Sequence, residues 1–201
     1  MPRPRAFDTD TFLDRALDVF WQRGYAATSM ADIYEATGLG AGSVYAFVKD
    51  KTELFQRVFE RYGGMFAATL PTNVAGREAL ERWFGFLTNY LADDPERKGC
   101  LICNTIIERA AHAPETLTLA DARVAEVRAW FVEQLRAAAG SRDLRKDLDP
   151  EVVADSLVAT TLGMMALARA RTDRGALKTI ADAALAGLWQ PKATTAAGVP
   201  A

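Results

Sequence analysis

Cys100 and Cys103, three positions apart in the segment KGCLICNTIIERA, are the two cysteines of this chain and its most informative pair of residues for chemistry. On a helix that spacing puts both side chains on one face. A zinc site needs about four ligands, and the chain offers one histidine, His112, and no further cysteine. Thioredoxin-like exchange needs a βαβ setting, and no strand pattern is present. Two readings stay open: a pair of small buried hydrophobes, or a reactive thiol. Lys98 and Gly99 put Cys100 at or near a helix N-terminus, close to positive charge, which lowers a thiol pKa. His112 reads as a cap or a surface residue.

A second set of residues suits phosphate and base edges. TGLGAGSVYAF, residues 37–47, holds Gly38, Gly40 and Gly42 within five positions, and Tyr45 and Phe47 follow. Glycine this dense breaks a helix, yet helical patterns flank it. Two short helices joined by a glycine-bearing turn form a helix-turn-helix layout, whose second helix enters the major groove. Gly40 and Gly42 leave room for a phosphate near backbone amides. Ser43 can donate to a phosphate or a base edge, and the Tyr45 hydroxyl to the backbone. Lys49 and Lys51 lie just beyond, Lys51 in the first turn of the next helix, where the dipole also favours phosphate. Alternatively, the glycines only make a turn, and Tyr45 and Phe47 are core.

The elements that position these residues read as helices almost throughout, and the expected fold is all-α with about nine of them. Residues 10–23 place Leu13, Ala16, Leu17 and Phe20 on one face, and Gly24 stops the helix. Ser29 and Asp32 form a capping box that opens a helix through Ala36. A short helix follows from Ala41 or Gly42 to Phe47. Asp50 and Glu53 form a second box, opening a long helix with Leu54, Phe55, Val58, Phe59 and Tyr62. Further helices are expected near 75–92, 100–112, 115–139, 150–171 and 173–189, with Asp149 capping a proline-led start at Pro150. The tail from residue 191 to 201 has too little apolar content to pack and is expected to be disordered.

Bulk properties narrow the class. The chain has 201 residues, is half apolar and one quarter charged, with a formal net charge of −2, so no overall attraction to nucleic acid is expected. Residues 1–62 are also slightly acidic, with eight Lys and Arg against nine Asp and Glu. The distribution is polarised, however. Arg3 and Arg5 sit on a proline-stiffened arm, and Lys49 and Lys51 follow the second short helix. No apolar run reads as long enough to span a bilayer, and MPRPRAFDTD lacks a signal-peptide core, so the cytoplasm is the expected location. One histidine, no nucleophile–base pairing, no metal spacing and no phosphate loop predict a non-enzyme without cofactor or metal. A helical interaction module without specific DNA binding is the alternative to a DNA reader.

The block ALDVFWQRGYAATSMADIYEATGLGAGSVYAFVKDKTELF, residues 16–55, resembles the N-terminal domain of TetR/AcrR-family transcriptional regulators. The order and spacing of its F…GY..TSM.DI entry, A.G...GS.Y turn and K.K.EL helix start carry the resemblance. It implies a dimeric repressor on a palindromic double-stranded DNA operator, released by a small-molecule effector. Residues 1–50 would bind DNA, and 51–190 would bind the effector and dimerise. Carried over by position, Thr28 and Ser29 would contact phosphate, Gly42, Ser43 and Tyr45 would belong to the recognition helix, and Lys51 would clamp a phosphate. Gly40 and Ala41 depart from the Ser or Thr and Lys or Arg common there. Val48 replaces the usual Phe, and Ala46 is small. Arg3 or Arg5 would make up affinity at phosphates or in the minor groove.

The resemblance extends to a sensor half. Its effector pocket would be lined from Phe66, Trp83, Phe86, Leu87, Tyr90, Cys100, Cys103, Asn104, Ile107, Trp130 and Met164, with Asn104, Thr105, Glu108 and His112 as polar liners. The GCL segment resembles a subset of the family in which the corresponding cysteine senses electrophiles or oxidants, so switching through Cys100 is the alternative mechanism. The helices near 150–171 and 173–189 carry apolar stripes, including Leu177, Ile180, Ala184 and Leu188. In a monomer these would leave apolar surface uncovered, and a two-fold four-helix contact would bury it.

Overall fold

The computed structural model describes residues 8–170 and 172–190, and these fold into nine α-helices with no strand beyond one antiparallel bridge, Leu144 to Trp189. Arg3, Arg5 and the tail from residue 191 lie outside the described residues. Helix α1 is Thr9–Arg23, α2 Met30–Thr37, α3 Ala41–Tyr45, α4 Lys51–Ala67 and α5 Arg77–Asp93. Next come α6, Leu101–Ile107, a 3-10 turn at Arg109–Ala111, α7, Pro114–Gly140, α8, Pro150–Arg169, and α9, Arg174–Ala186.

Local chemistry sets most of these boundaries. Gly24 ends α1 at φ +85°, and Gly38 ends α2 in the left-handed region at φ +70°, a conformation glycine adopts without penalty. The Ser29–Asp32 capping box is complete in both directions. At α4 the Asp50 carboxylate accepts from the Glu53 amide, but the Glu53 side chain reaches past Asp50 to the Lys49 amide at 2.9 Å.

Three helices end early. Helix α3 stops at Tyr45 rather than Phe47, and Phe47 turns inward against Phe12, with Arg57 over its ring. Helix α6 stops at Ile107 instead of running to residue 112, and Glu108 points back to α1. Pro114 also requires an extended residue before it, and Ala113 has ψ 152°. Helix α9 stops at Ala186 because the chain beyond it pairs elsewhere: Arg145 donates to the Leu188 carbonyl and Gln190 to that of Asp143.

Phe12, Ala16, Leu17 and Phe20 of α1 pack with Ile33, Val44, Val48, Leu54 and Phe55 in one continuous core that runs into the larger helical half. Leu13, expected in this core, is only half-buried, and Phe12 takes its place. Helix α8 corrects the expectation about apolar length. It spans 20 residues with a mean hydropathy of 1.4, enough by length and composition to cross a bilayer. Its buried side, with Val153, Leu157, Met164 and Met165, joins the core, while Val152 and Leu167 are exposed.

Candidate functional site

At the N-terminal end, α2, the Gly38–Gly40 turn and α3 form a bihelical unit held from behind by α1 and α4. Arg15 of α1 donates to the Thr37 carbonyl at the end of α2 (3.1 Å). Val44 anchors α3 in the core, so Gly42, Ser43 and Tyr45 face outward, Tyr45 at 51% exposure. Its ring meets Tyr34 edge-on at 6.4 Å, and the hydrogen bond between the two hydroxyls raises the pKa of Tyr34. Gly40 caps α3 with no side chain, and a Cβ built on Gly40 or Gly42 would meet nothing within 4 Å. Nothing inside the protein calls for glycine there; the surface is simply smooth. Lys49 is exposed beside this face, as is Ser29.

Two expected phosphate contacts are engaged within the protein. Thr28 is 2% exposed and donates its hydroxyl inward to the Gly24 carbonyl at 2.7 Å. The Lys51 ammonium donates to the carbonyls of Tyr25 (2.9 Å) and Thr28 (2.8 Å) and lies over the Tyr25 ring. Burial lowers its pKa, with Glu108 acting in the other direction. Both residues brace the loop before α2.

The same loop is gripped from below. Glu108, at the end of α6, accepts from the Tyr25 amide (2.9 Å) and the Ala26 amide (3.4 Å). A Cβ on Gly24 would fall 2.2 Å from its Oε1, so the glycine serves both a positive φ and the approach of this carboxylate. His112 lies against Tyr25 and Phe55, at 4.5 and 4.9 Å between ring centres. Burial lowers its pKa, Glu108 opposes that, and Lys51 adds to it; neither ring nitrogen has a partner. Glu108 and His112, expected to line a pocket, are braces between the two halves. Thr105, also expected as a liner, donates its hydroxyl to the Leu101 carbonyl within α6.

A cavity of about 120 Å³ opens beneath α1. Of the expected liners, Phe66, Trp83, Phe86, Leu87, Tyr90 and Cys100 border it. The i, i+3, i+4, i+7 spacing on α5 makes one face. Cys103, Asn104, Ile107, Trp130 and Met164 do not border it. Cys103 leans on the Leu162 carbonyl of α8, and the Asn104 amide donates to the Lys98 carbonyl. Ile107 is 68% exposed, Trp130 packs behind Trp83, and Met164 faces the core one residue away from the true liner, Met165. Sequence reasoning also missed Trp21, Tyr62, Met65, Thr69, Leu91 and Gly99 as liners. Trp21 and Tyr62 come from helices whose apolar faces gave no sign of a void.

The thiols correct a further expectation. Cys100 is the N-cap of α6 and is buried; desolvation raises its pKa, partly offset by the Tyr62 hydroxyl and the amides of Cys103 and Ile102. Cys103 is pushed up to about 11, mainly by burial. Lys98 does not lower the Cys100 pKa, because its ammonium is drawn to Glu96 (2.9 Å) and Asp18 (3.5 Å) and lies over the Trp21 ring. Among the described residues no three His, Cys, Asp or Glu side chains converge as a metal site.

Both ends of α6 thus hold the N-terminal head: the Trp21 indole donates to the Gly99 carbonyl (3.1 Å) just before it, and Glu108 holds the loop just after it. A braced helix-turn-helix joined to a larger helical half is the architecture of a DNA-binding regulator. The profile of the bacterial regulatory proteins of the tetR family matches residues 12–58, and that of the tetracyclin repressor-like C-terminal domain matches residues 76–184. The chain belongs to the TetR family of transcriptional regulators.

The repressor ComR of Escherichia coli is 39% identical over 107 residues, 51% of each chain. The regulator YezE of Bacillus subtilis is 29% identical over 195 residues, 94% of this chain and 100% of the relative. A cysteine-substituted mutant of the TetR-family regulator CifR, solved with a 26-base-pair double-strand operator DNA, is 30% identical and covers 94% of this chain and 100% of its own, with a TM-score of 0.79. A regulatory protein TetR from Rhodobacter sphaeroides shares the fold at TM-score 0.82 and 18% identity, over 89% of this chain and 97% of that one.

Proposed function

We propose that the protein is a homodimeric repressor that grips a palindromic double-stranded operator and lets go when a small molecule enters the cavity under α1. One observation carries this reading: Trp21 belongs to the DNA-reading head, walls the cavity, and is tied to the start of α6. A ligand that moves Trp21 or Cys100 therefore strains the seat of the head directly. Operator half-sites lie at fixed spacing, so a small change in the separation of two heads costs affinity.

The DNA contacts in this reading are Ser29, Gly42, Ser43, Tyr45 and Lys49, with Lys51 and Thr28 holding the loop that presents them. Arg3 and Arg5 add contacts from the N-terminal arm, and deleting residues 1–6 weakens binding at matched salt. The boundary between DNA-binding residues 1–50 and effector-binding, dimerising residues 51–190 falls at α4, which packs on α1 and also walls the cavity. The dimer forms through α8 and α9. Exposed Val152 and Leu167, with half-buried Val158, Leu162, Ile180 and Ala184, leave an apolar surface for it.

The test is a fluorescence-anisotropy titration against DNA upstream of the protein's own gene. Salt-sensitive specific binding, weakened by Ser43→Ala and lost when Gly42→Leu fills the smooth face, supports the reading. Absence of specific binding at low salt overturns it. Switching through Cys100 is the weaker mechanism, because burial keeps this sulfur a thiol. Equal operator release in wild type and Cys100→Ser after hypochlorite treatment would remove it.

A further inference from the structure

Among the described residues, buried side-chain polar atoms without a hydrogen-bond partner occur on Trp83, Thr161 and His112. His112 belongs to the brace between the halves. The other two border the cavity under α1 and a second chamber of about 20 Å³ beside it. Trp83, fully buried, walls the larger one, and Thr161, 3% exposed, walls the smaller. The two chambers share Phe66, Cys100 and Met165 as their partition.

Thr161 stands apart from other helical threonines. Thr88, Thr105, Thr160 and Thr179 each donate to the carbonyl four residues back, at 2.8–2.9 Å. The Thr161 hydroxyl has no such bond. An unmet buried donor is costly, and its site is completed by a group that accepts from it. The larger chamber is walled mainly by aromatic rings, methionines and leucines, with Thr69, Gly99 and Cys100 beside them and no charged side chain. Arg123 is the charged residue at the smaller chamber, and both Glu126 carboxylate oxygens already accept from its Nη1, at 3.0 and 2.7 Å. A net ionic ligand would lose its hydration without gaining a free counter-charge. Met165 in the partition is an unbranched, adaptable side chain that can shift to join the chambers.

We infer that the cavity system takes a neutral, elongated aryl-alkyl molecule. Its ring lies in the larger chamber, and its uncharged oxygen acceptors meet the Trp83 indole N–H and the Thr161 hydroxyl. This rests on the reading of the cavity as the effector site, and it adds the chemical class.

The experiment is calorimetric binding of four probes to the full-length protein: butylbenzene, benzylacetone, anisylacetone and the anion hydrocinnamate. Benzylacetone binds about 3- to 10-fold tighter than butylbenzene, the range of one net hydrogen bond, and anisylacetone, with a second oxygen, tighter again. Hydrocinnamate binds at least about tenfold weaker than benzylacetone, since its charge finds no partner. Trp83→Phe erases the preference for benzylacetone over butylbenzene. The near-isosteric Thr161→Val, which keeps the fold even if the tryptophan variant does not, erases the further gain of anisylacetone.

Tighter binding of hydrocinnamate, an anisylacetone gain that survives in Thr161→Val, or no binding of any neutral probe at millimolar concentration overturns the inference. Operator release is read separately. If the ranking holds but no probe releases DNA, the ligand chemistry stands and the effector reading falls. If probes release DNA without this ranking, the effector reading stands and the ligand class falls.

Discussion

A Cβ built on Gly38, Gly40 or Gly42 projects into open space, whereas one built on Gly99 would lie 2.9 Å from Arg169 Cγ and 3.0 Å from the Met165 carbonyl. Both corners contain a left-handed glycine, Gly38 at φ +70° and Gly99 at φ +65°. The first corner is smooth on its outer side, with only Gly38 demanded by its own backbone. The second is packed from within: α8 presses on Gly99, Trp21 donates to its carbonyl, and Arg169 donates to that of Lys98 (3.0 Å). Glycine in the first corner leaves space for something outside the chain. In the second it lets three helices meet at the mouth of α6.

This contrast can be broken most forcefully at the packed positions. Gly99→Ala strains the backbone and drives a methyl into α8, so a loss of about 2–3 kcal/mol is expected in urea unfolding. Gly24→Ala, facing Glu108, falls in the same range. A loss below about 0.5 kcal/mol at either position would show that the corner yields easily. Glu108→Gln keeps an acceptor for the Tyr25 and Ala26 amides but loses its charge. It is expected to cost about 1–2 kcal/mol and to loosen the head, seen as faster amide exchange at residues 25–28 with α7 unchanged. Equal exchange in both regions would mean that Glu108 is no brace.

A smaller effect is expected with pH. His112 has its pKa lowered from 6.5 in the folded state by burial between Tyr25 and Phe55, with Glu108 opposing and Lys51 adding to the shift. The unfolded chain then binds the proton more readily. The contribution of His112 is complete above about 6.5 and is lost as pH falls below that value toward the folded pKa. Melting temperature should therefore drop on acidification more in wild type than in His112→Phe, and parallel slopes would refute this. Smallest of all, Gly40→Ser at the open corner should change stability by less than about 0.5 kcal/mol, with any larger effect appearing only in operator affinity.

The head was legible because its determinants are local. Ser29 with Asp32, Asp50 near Glu53, and the stops at Gly24 and Gly38 act within four residues of the groups they satisfy. The cavity was only half legible. On α5 the spacing of Trp83, Phe86, Leu87 and Tyr90 selected one face, and that face borders the cavity. On α8 and α6 the same reasoning chose Met164 over Met165 and brought in Ile107, because successive residues on a helix point about 100° apart and apolar type does not say which direction holds a void.

Lys51 and Cys100 mark the same division. The sequence placed each at a helix start, Lys51 in the first turn of α4 and Cys100 as the N-cap of α6. From that came the expectation of a phosphate clamp and an activated thiol. Helix class, caps, turns and the identity of the reading head follow from the sequence by itself, since backbone hydrogen bonds and glycine φ angles are settled between near neighbours. What Lys51 donates to, what surrounds Cys100, and which rings enclose a cavity were decided by the tertiary structure alone. Burial, counter-charges and empty volume depend on residues that meet from α1, α4, α5, α6 and α8, and no spacing along one chain segment encodes that meeting.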